Sequence, residues 1–97
     1  MGYRLEFSKQ AKKDAELLER SGLDKNAKRL LGVIKRNPFE PPCEKLTRDL
    51  KDCYSRRINK QHRIVYEVLP NSDNLKDANG KLYKGIAHIM RMWTHYE

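Results

Sequence analysis

No stretch of this 97-residue chain is apolar enough to cross a membrane, and its first residues lack the hydrophobic run of a secretory signal. The Met1-Gly2 start does not complete a myristoylation pattern, because position six is Glu6 rather than Ser or Thr. The chain therefore reads as cytoplasmic. Cysteine is scarce: Cys43 and Cys53 are the two present, and without a secretory signal reduced thiols are expected. His62, His88 and His95 share no C-x-x-C or H-x-x-x-H spacing, so no metal site is expected. Internal repeats, low-complexity tracts and a Gly-rich phosphate loop are absent as well. Acidic residues are few, 13 against 21 Lys plus Arg, which leaves a formal net charge of +8. Hydrophobic residues make up only 38%. A chain of this length forms one domain with one core, and a second substrate domain or a barrel enzyme is excluded. The charge surplus points to an anionic partner: nucleic acid, an acidic protein or a membrane surface. Composition does not choose among them.

Hydrophobic periodicity supplies the elements. Tyr3-Arg4-Leu5-Glu6-Phe7 alternates and predicts a strand with one buried face. Ser8 is placed to cap a helix from 9 to about 20, whose stripe is Ala11, Ala15 and Leu18. Gly22 suits the left-handed position that ends it. Asp24 is expected to cap a second helix carrying Ala27, Leu30, Leu31 and Ile34 on one face. Asn37-Pro38 stops that helix, because the residue before proline avoids the α region. Prolines stiffen the loop 38–45, and Leu46 and Leu50 suggest a short strand or ordered turn. Tyr54-Ser55-Arg56-Arg57-Ile58 and His62-Arg63-Ile64-Val65-Tyr66-Glu67-Val68 read as strands joined by a hairpin-length loop. Residues 70–84 are polar and expected as a mobile hairpin tip. A last strand spans about 85–94. The order β-α-α-β-β-β-β implies an α+β fold: a mostly antiparallel sheet with both helices on one face and the other face open.

Strand parity then selects candidate residues. Ile64, Tyr66 and Val68 form the natural core set, so Arg63 points to the open face. If Met90 and Met92 are core, Arg91 and His95 also look outward. Glu44 is the carboxylate that the proline loop brings nearest to this cluster. His62 and His88 read as structural. Trp93 and Tyr54 could stack on bases, although aromatics at strand spacing more often pack in cores. Without further information the open face is either a specific anion site or a solvated basic surface.

The motifs Arg36-Asn37-Pro38-Phe39-Glu40, Glu44-Lys45-Leu46, Tyr54-Ser55-Arg56-Arg57-Ile58, His62-Arg63-Ile64-Val65-Tyr66 and Trp93-Thr94-His95-Tyr96 resemble the Txe/YoeB family of toxin–antitoxin systems, within the RelE/ParE superfamily. The resemblance runs from about Tyr3 to Tyr96. It implies a single RelE/YoeB-like domain over residues 1–97. It also implies an endoribonuclease that needs no metal or other cofactor, cuts mRNA at the ribosomal A site and inhibits translation. Its expected partners are mRNA with the ribosome, a cognate antitoxin, and operator DNA only as the toxin–antitoxin complex. By position, Glu44 matches the general base, Arg63 the phosphate-stabilising arginine, His95 the general acid and Tyr96 the substrate-placing tyrosine. Arg56, Arg57, Arg91 and Lys45 are the expected RNA-phosphate contacts. Two features depart from the family pattern: Glu97 follows Tyr96, and the 70–84 insert is longer than the usual turn. Strict alternation would also put His95 and Tyr96 on opposite faces, so joint action requires the chain to leave strand geometry by about Thr94. Two other functions fit the same fold, a ParE-like gyrase inhibitor and a non-catalytic RNA-binding module. Neither needs Glu44 or His95.

Overall fold

In the computed structural model, which describes residues 2–45 and 53–93, the alternating N-terminal residues form β1 (Tyr3–Phe7). Two helices follow, α1 (Lys9–Arg20) and α2 (Asp24–Arg36). Then come β2 (Glu44–Lys45), β3 (Cys53–Arg57), β4 (Arg63–Leu69) and β5 (Gly85–Arg91). The α+β order expected from periodicity is the order found.

Local chemistry explains the boundaries. The Ser8 hydroxyl accepts from the Ala11 N–H at 3.0 Å and donates to the Met90 carbonyl at 2.8 Å, so one side chain caps α1 and ties it to β5. Gly22 ends α1 at φ +74°, a conformation costly for any residue with a Cβ. The expected cap of α2 is not found. Leu23 holds that position without a side-chain hydrogen bond, and Asp24 sits inside the first turn, where its charge complements the helix dipole. Asn37 closes α2 in an extended conformation just before Pro38.

The five strands lie in the order β1-β5-β4-β3-β2. β1 runs parallel to β5, while the other neighbours are antiparallel. Leu18, Leu30, Ile34, Ile64, Tyr66, Ala87 and Ile89 join in one core between the helices and the sheet. A Cβ on Gly85 would lie 2.8 Å from the Leu69 carbonyl oxygen and 3.1 Å from the Tyr3 ring, so the ladder there needs glycine. Among the described residues, no helix is long and apolar enough to cross a membrane.

β5 departs from the expected parity. Ala87 and Ile89, not Met90, face the helices. The ladder shifts register between Val65, opposite Arg91, and Tyr66, opposite Ile89, and this irregularity breaks the period of two. Met92 is nevertheless buried in the core, whereas Met90 lies on the far face with Sδ 3.7 Å from Cys53 Sγ. The two methionines, expected on one face, thus separate. The 70–84 insert is also better organised than expected. The Asn71 amide donates to the Leu75 and Tyr83 carbonyls and its oxygen accepts from the Leu75 N–H. Asp77 accepts from the Asn79 and Lys81 N–H groups, and the Lys84 N–H donates to the Gly2 carbonyl. The strand or turn expected around Leu46 and Leu50 lies outside the described residues.

Candidate functional site

Directly paired residues on neighbouring strands share a face of the sheet. Away from the helices this rule groups Glu44 with Ser55 and Val65, and Arg57 with Arg63. Cys53, Glu67 and His88 continue the same face. It is not bare: the small side chains Cys53, Ser55 and Val65 are buried, and the longer ones keep exposure above them. Glu44 Oε2 and Arg63 Nη1 are 3.0 Å apart, with the Glu44 side chain 62% and the Arg63 side chain 14% exposed. An arginine so nearly buried presents its charge in one direction. Arg57, exposed, sits directly opposite Arg63. Like charges facing each other across a ladder repel, so the pair weakens the empty sheet and suits an anion between them. A groove of about 390 Å³ opens beside this cluster, bordered by Arg29, Pro41, Pro42, Glu44 and Arg57.

Arg56 does not join the basic cluster. It is 3% exposed and lies on the helix side, opposite Ile64. Its guanidinium donates to Tyr66 Oη at 3.2 Å, to the Pro42 carbonyl at 3.1 Å, to the Pro38 carbonyl at 3.2 Å and to the Asn37 carbonyl at 3.4 Å. The Tyr66 hydroxyl donates in turn to the Pro38 carbonyl. Burial pushes the Tyr66 phenol up to about 12, against the neighbouring Arg56 charge, so the hydroxyl stays protonated as a donor. Arg56 and Tyr66 thus fasten the loop that leads to Glu44. Phe39 adds edge contacts to Tyr3 and Tyr54, with Tyr54 stacked on Tyr66. The expected phosphate contact at Arg56 is corrected to a loop anchor: a planar fork with five donors satisfies carbonyls from several directions, which a buried proline loop cannot satisfy within itself.

Arg91 is also redirected. Its Nε lies 2.9 Å from Asp14 Oδ2, and the same carboxylate oxygen accepts from the Met92 N–H at 2.9 Å. Asp14 is completely buried. Burial disfavours its charge, but hydrogen bonds from Arg91, Met92 and Gln10 outweigh that and hold its carboxyl below the usual carboxylate value. Arg91 therefore pins the end of β5 to α1 rather than joining Arg63. Lys45 is exposed but pairs with Tyr54, so it stands on the opposite side of β2 from Glu44. His62 packs as expected, stacked on Trp93 with ring centroids 3.8 Å apart. His95 and Tyr96, with Thr94 and Glu97, lie outside the described residues. Tyr66 and Asp14 were not singled out in the sequence as anchors. For Tyr66 a signal existed, since a hydroxyl on a core position needs a partner. For Asp14 it was weaker: one acid interrupting the apolar face of an amphipathic helix.

A sequence profile for the YoeB-like toxin of bacterial type II toxin–antitoxin systems matches residues 7–83. Among solved structures, a YoeB/ParE toxin from Agrobacterium tumefaciens superposes with TM-score 0.77 at 24% identity, over 96% of this chain and 99% of that one. The toxin–antitoxin complex YoeB-YefM from Staphylococcus aureus contains a chain similar at 31% identity and TM-score 0.68, over 97% of this chain and 98% of that one. The Escherichia coli DinJ-YafQ complex shares the fold, with TM-score 0.69 at 19% identity over 98% of this chain and 94% of that one. None of the curated proteins matches the sequence.

Proposed function

The chain belongs to the YoeB-like toxins of bacterial type II toxin–antitoxin systems, and we propose that it is an endoribonuclease that cuts mRNA at the ribosomal A site and so inhibits translation. The observation that carries this reading is the Glu44–Arg63 pair at 3.0 Å, facing Arg57 on the sheet surface away from the helices. It supports the reading because a carboxylate that could act as a base stands beside a guanidinium that could meet a phosphate. A binding module needs the arginines but not the acid, and a gyrase inhibitor needs neither Glu44 nor His95.

In the proposed reaction Glu44 takes the proton from a ribose 2′-hydroxyl. The resulting alkoxide attacks the adjacent phosphorus. Arg63 uses one N–H on Glu44 and has four others with which to meet the phosphate oxygens as their charge grows. Arg57, exposed beside it, holds a flanking phosphate. The P–O5′ bond breaks, and His95 returns a proton to the leaving oxygen while Tyr96 helps place the substrate. Products are a 2′,3′-cyclic phosphate and a 5′-hydroxyl, with no metal required. A carboxylate and an imidazole, with ordinary values near 4.3 and 6.5, can divide the base and acid roles near neutral pH. The partner is a cognate antitoxin, as in the Staphylococcus aureus YoeB-YefM complex. Its binding covers the basic face, and operator DNA is bound by the toxin–antitoxin complex rather than by the toxin alone.

Primer extension on mRNA, with and without ribosomes, tests the reading. Wild-type protein gives discrete stops in ribosome-bound message, and Glu44→Gln abolishes them. Wild-type protein that cuts neither free nor ribosome-bound RNA refutes it.

A further inference from the structure

Cys53, Glu67 and His88 stand in one row across β3, β4 and β5 on the face that carries Arg63. Glu67 Oε1 and His88 Nδ1 are 3.1 Å apart, and each side chain is 33% exposed. Glu67 lies four residues beyond Arg63 on β4, at the same parity and so about 13 Å along the strand. A half-exposed pair of this kind contributes little to folding. Its chemistry is more specific. An ionised carboxylate only accepts hydrogen bonds, so His88 Nδ1 carries the proton and donates to Oε1. That contact fixes the carboxylate's orientation. Among the described residues Glu67 Oε2 has no partner, and Oε1 keeps a second lone pair.

Two adjacent acceptor oxygens complement two adjacent N–H donors. On the Watson–Crick edges of the RNA bases, only guanine offers this, as N1–H beside the N2 amino group. Adenine and cytosine place an acceptor ring nitrogen beside their amino group, and uracil flanks its N3–H with two carbonyls. We infer that Glu67, oriented by His88, selects guanine in an RNA strand that runs from Arg63 across β4 and β5. This rests on the ribonuclease reading. RNA is favoured over a basic protein segment because the pair shares its face and strand with Arg63, and Arg57 adds a second cation that would repel such a segment.

The test compares wild type with Glu67→Gln on ribosome-bound messages in which one nucleotide near the cut is varied through all four bases. Wild type cuts best with guanine at one fixed distance from the scissile bond, about tenfold or more over the other bases. In Glu67→Gln the amide offers one acceptor and one donor, so the guanine preference is lost and adenine and cytosine, each with an amino group beside an acceptor ring nitrogen, gain relative to guanine. Replacing the preferred guanine by inosine, which lacks the N2 amino group, slows wild type and leaves Glu67→Gln unchanged. Identical base profiles for the two proteins overturn the inference while leaving the ribonuclease reading intact. Lost affinity for the antitoxin with an unchanged base profile overturns it too, and assigns the pair to a protein contact. If wild type cuts no RNA, the ribonuclease reading falls separately. Oligonucleotide affinities of Glu44→Gln and Glu44→Gln/Glu67→Gln then decide the inference by the same guanine and inosine comparison.

Discussion

Arg56→Lys separates an anchoring arginine from an RNA-binding one. The guanidinium meets four acceptors, Tyr66 Oη and the carbonyls of Asn37, Pro38 and Pro42, from all three of its nitrogens. A lysine retains the charge but donates from a single point, and it reaches about two of them. The Pro38 carbonyl keeps its bond from Tyr66, whereas the Asn37 and Pro42 carbonyls are left exposed to the loss. At about 1–3 kcal/mol for each buried group left unpaired, the expected destabilisation is about 2–4 kcal/mol. In a domain of this size each kcal/mol moves the melting temperature by about 4–8 °C, so a drop of roughly 10–25 °C follows. Circular dichroism against temperature and urea measures both, and an unchanged urea slope confirms that the same surface unfolds. Because the anchored loop presents Glu44, the folded variant at low temperature should also cut more slowly. A displacement of about 1 Å at a reacting group can cost about 10²-fold. RNA affinity should stay near wild type, whereas Arg57→Ala should lower it. Wild-type stability in Arg56→Lys, combined with weakened RNA binding, would refute the anchor and restore Arg56 as a phosphate contact.

Three further outcomes follow from the same contacts. Under the proposed reaction, Glu44→Gln, Arg63→Ala and His95→Ala should each lower cleavage by about 10²–10⁴-fold in single-turnover assays, and Glu44→Gln, whose side chain is 62% exposed, should keep a melting temperature near wild type. Asp14→Ala should destabilise by about 2–4 kcal/mol in urea titrations, somewhat less than a fully buried pair because Arg91 is 38% exposed. The folded-state value of Asp14 lies below its unfolded one. Its contribution is therefore complete above about pH 3.9 and disappears as pH falls through the lower folded value, so wild type should lose stability there and Asp14→Ala should show a flatter profile. Tyr66→Phe should cost about 1–2 kcal/mol in the same titration, because the Pro38 carbonyl keeps Arg56 and only the hydroxyl's two bonds are lost.

Much of the fold could be read directly from residue patterns. The first strand, both helices, the Ser8 cap, the Gly22 stop and the break before Pro38 agree with the expectations, because each depends on residues a few positions apart. The expected cap at Asp24 fails for a related reason: a favourable residue type is present, but the helix begins at Asp24 itself, one residue earlier than expected, and leaves Leu23 at the cap. For the site, Glu44 and Arg63 were named from their motifs, and the ladder puts them in contact. Arg56, Arg57 and Arg91 could not be told apart from composition; parity misplaced Met90, because a local register shift in β5 is invisible in a strict alternation, and it could not show that Arg91, opposite Val65, reaches back to Asp14.

The sequence by itself determined the element order, the helix boundaries and the basic surplus, since periodicity, capping and charge are properties of short windows. It also carried the family motifs. Only the tertiary structure decided how the arginines divide their work. Arg63 and Arg57 stand opposite each other on the sheet face away from the helices, Arg56 is buried under the proline loop, and Arg91 turns to Asp14 seventy-seven positions away. It also decided that Glu67 meets His88 across a ladder. A guanidinium takes its role from whichever acceptors lie within about 3 Å. In these cases the acceptors come from distant segments, which only the packed sheet brings together.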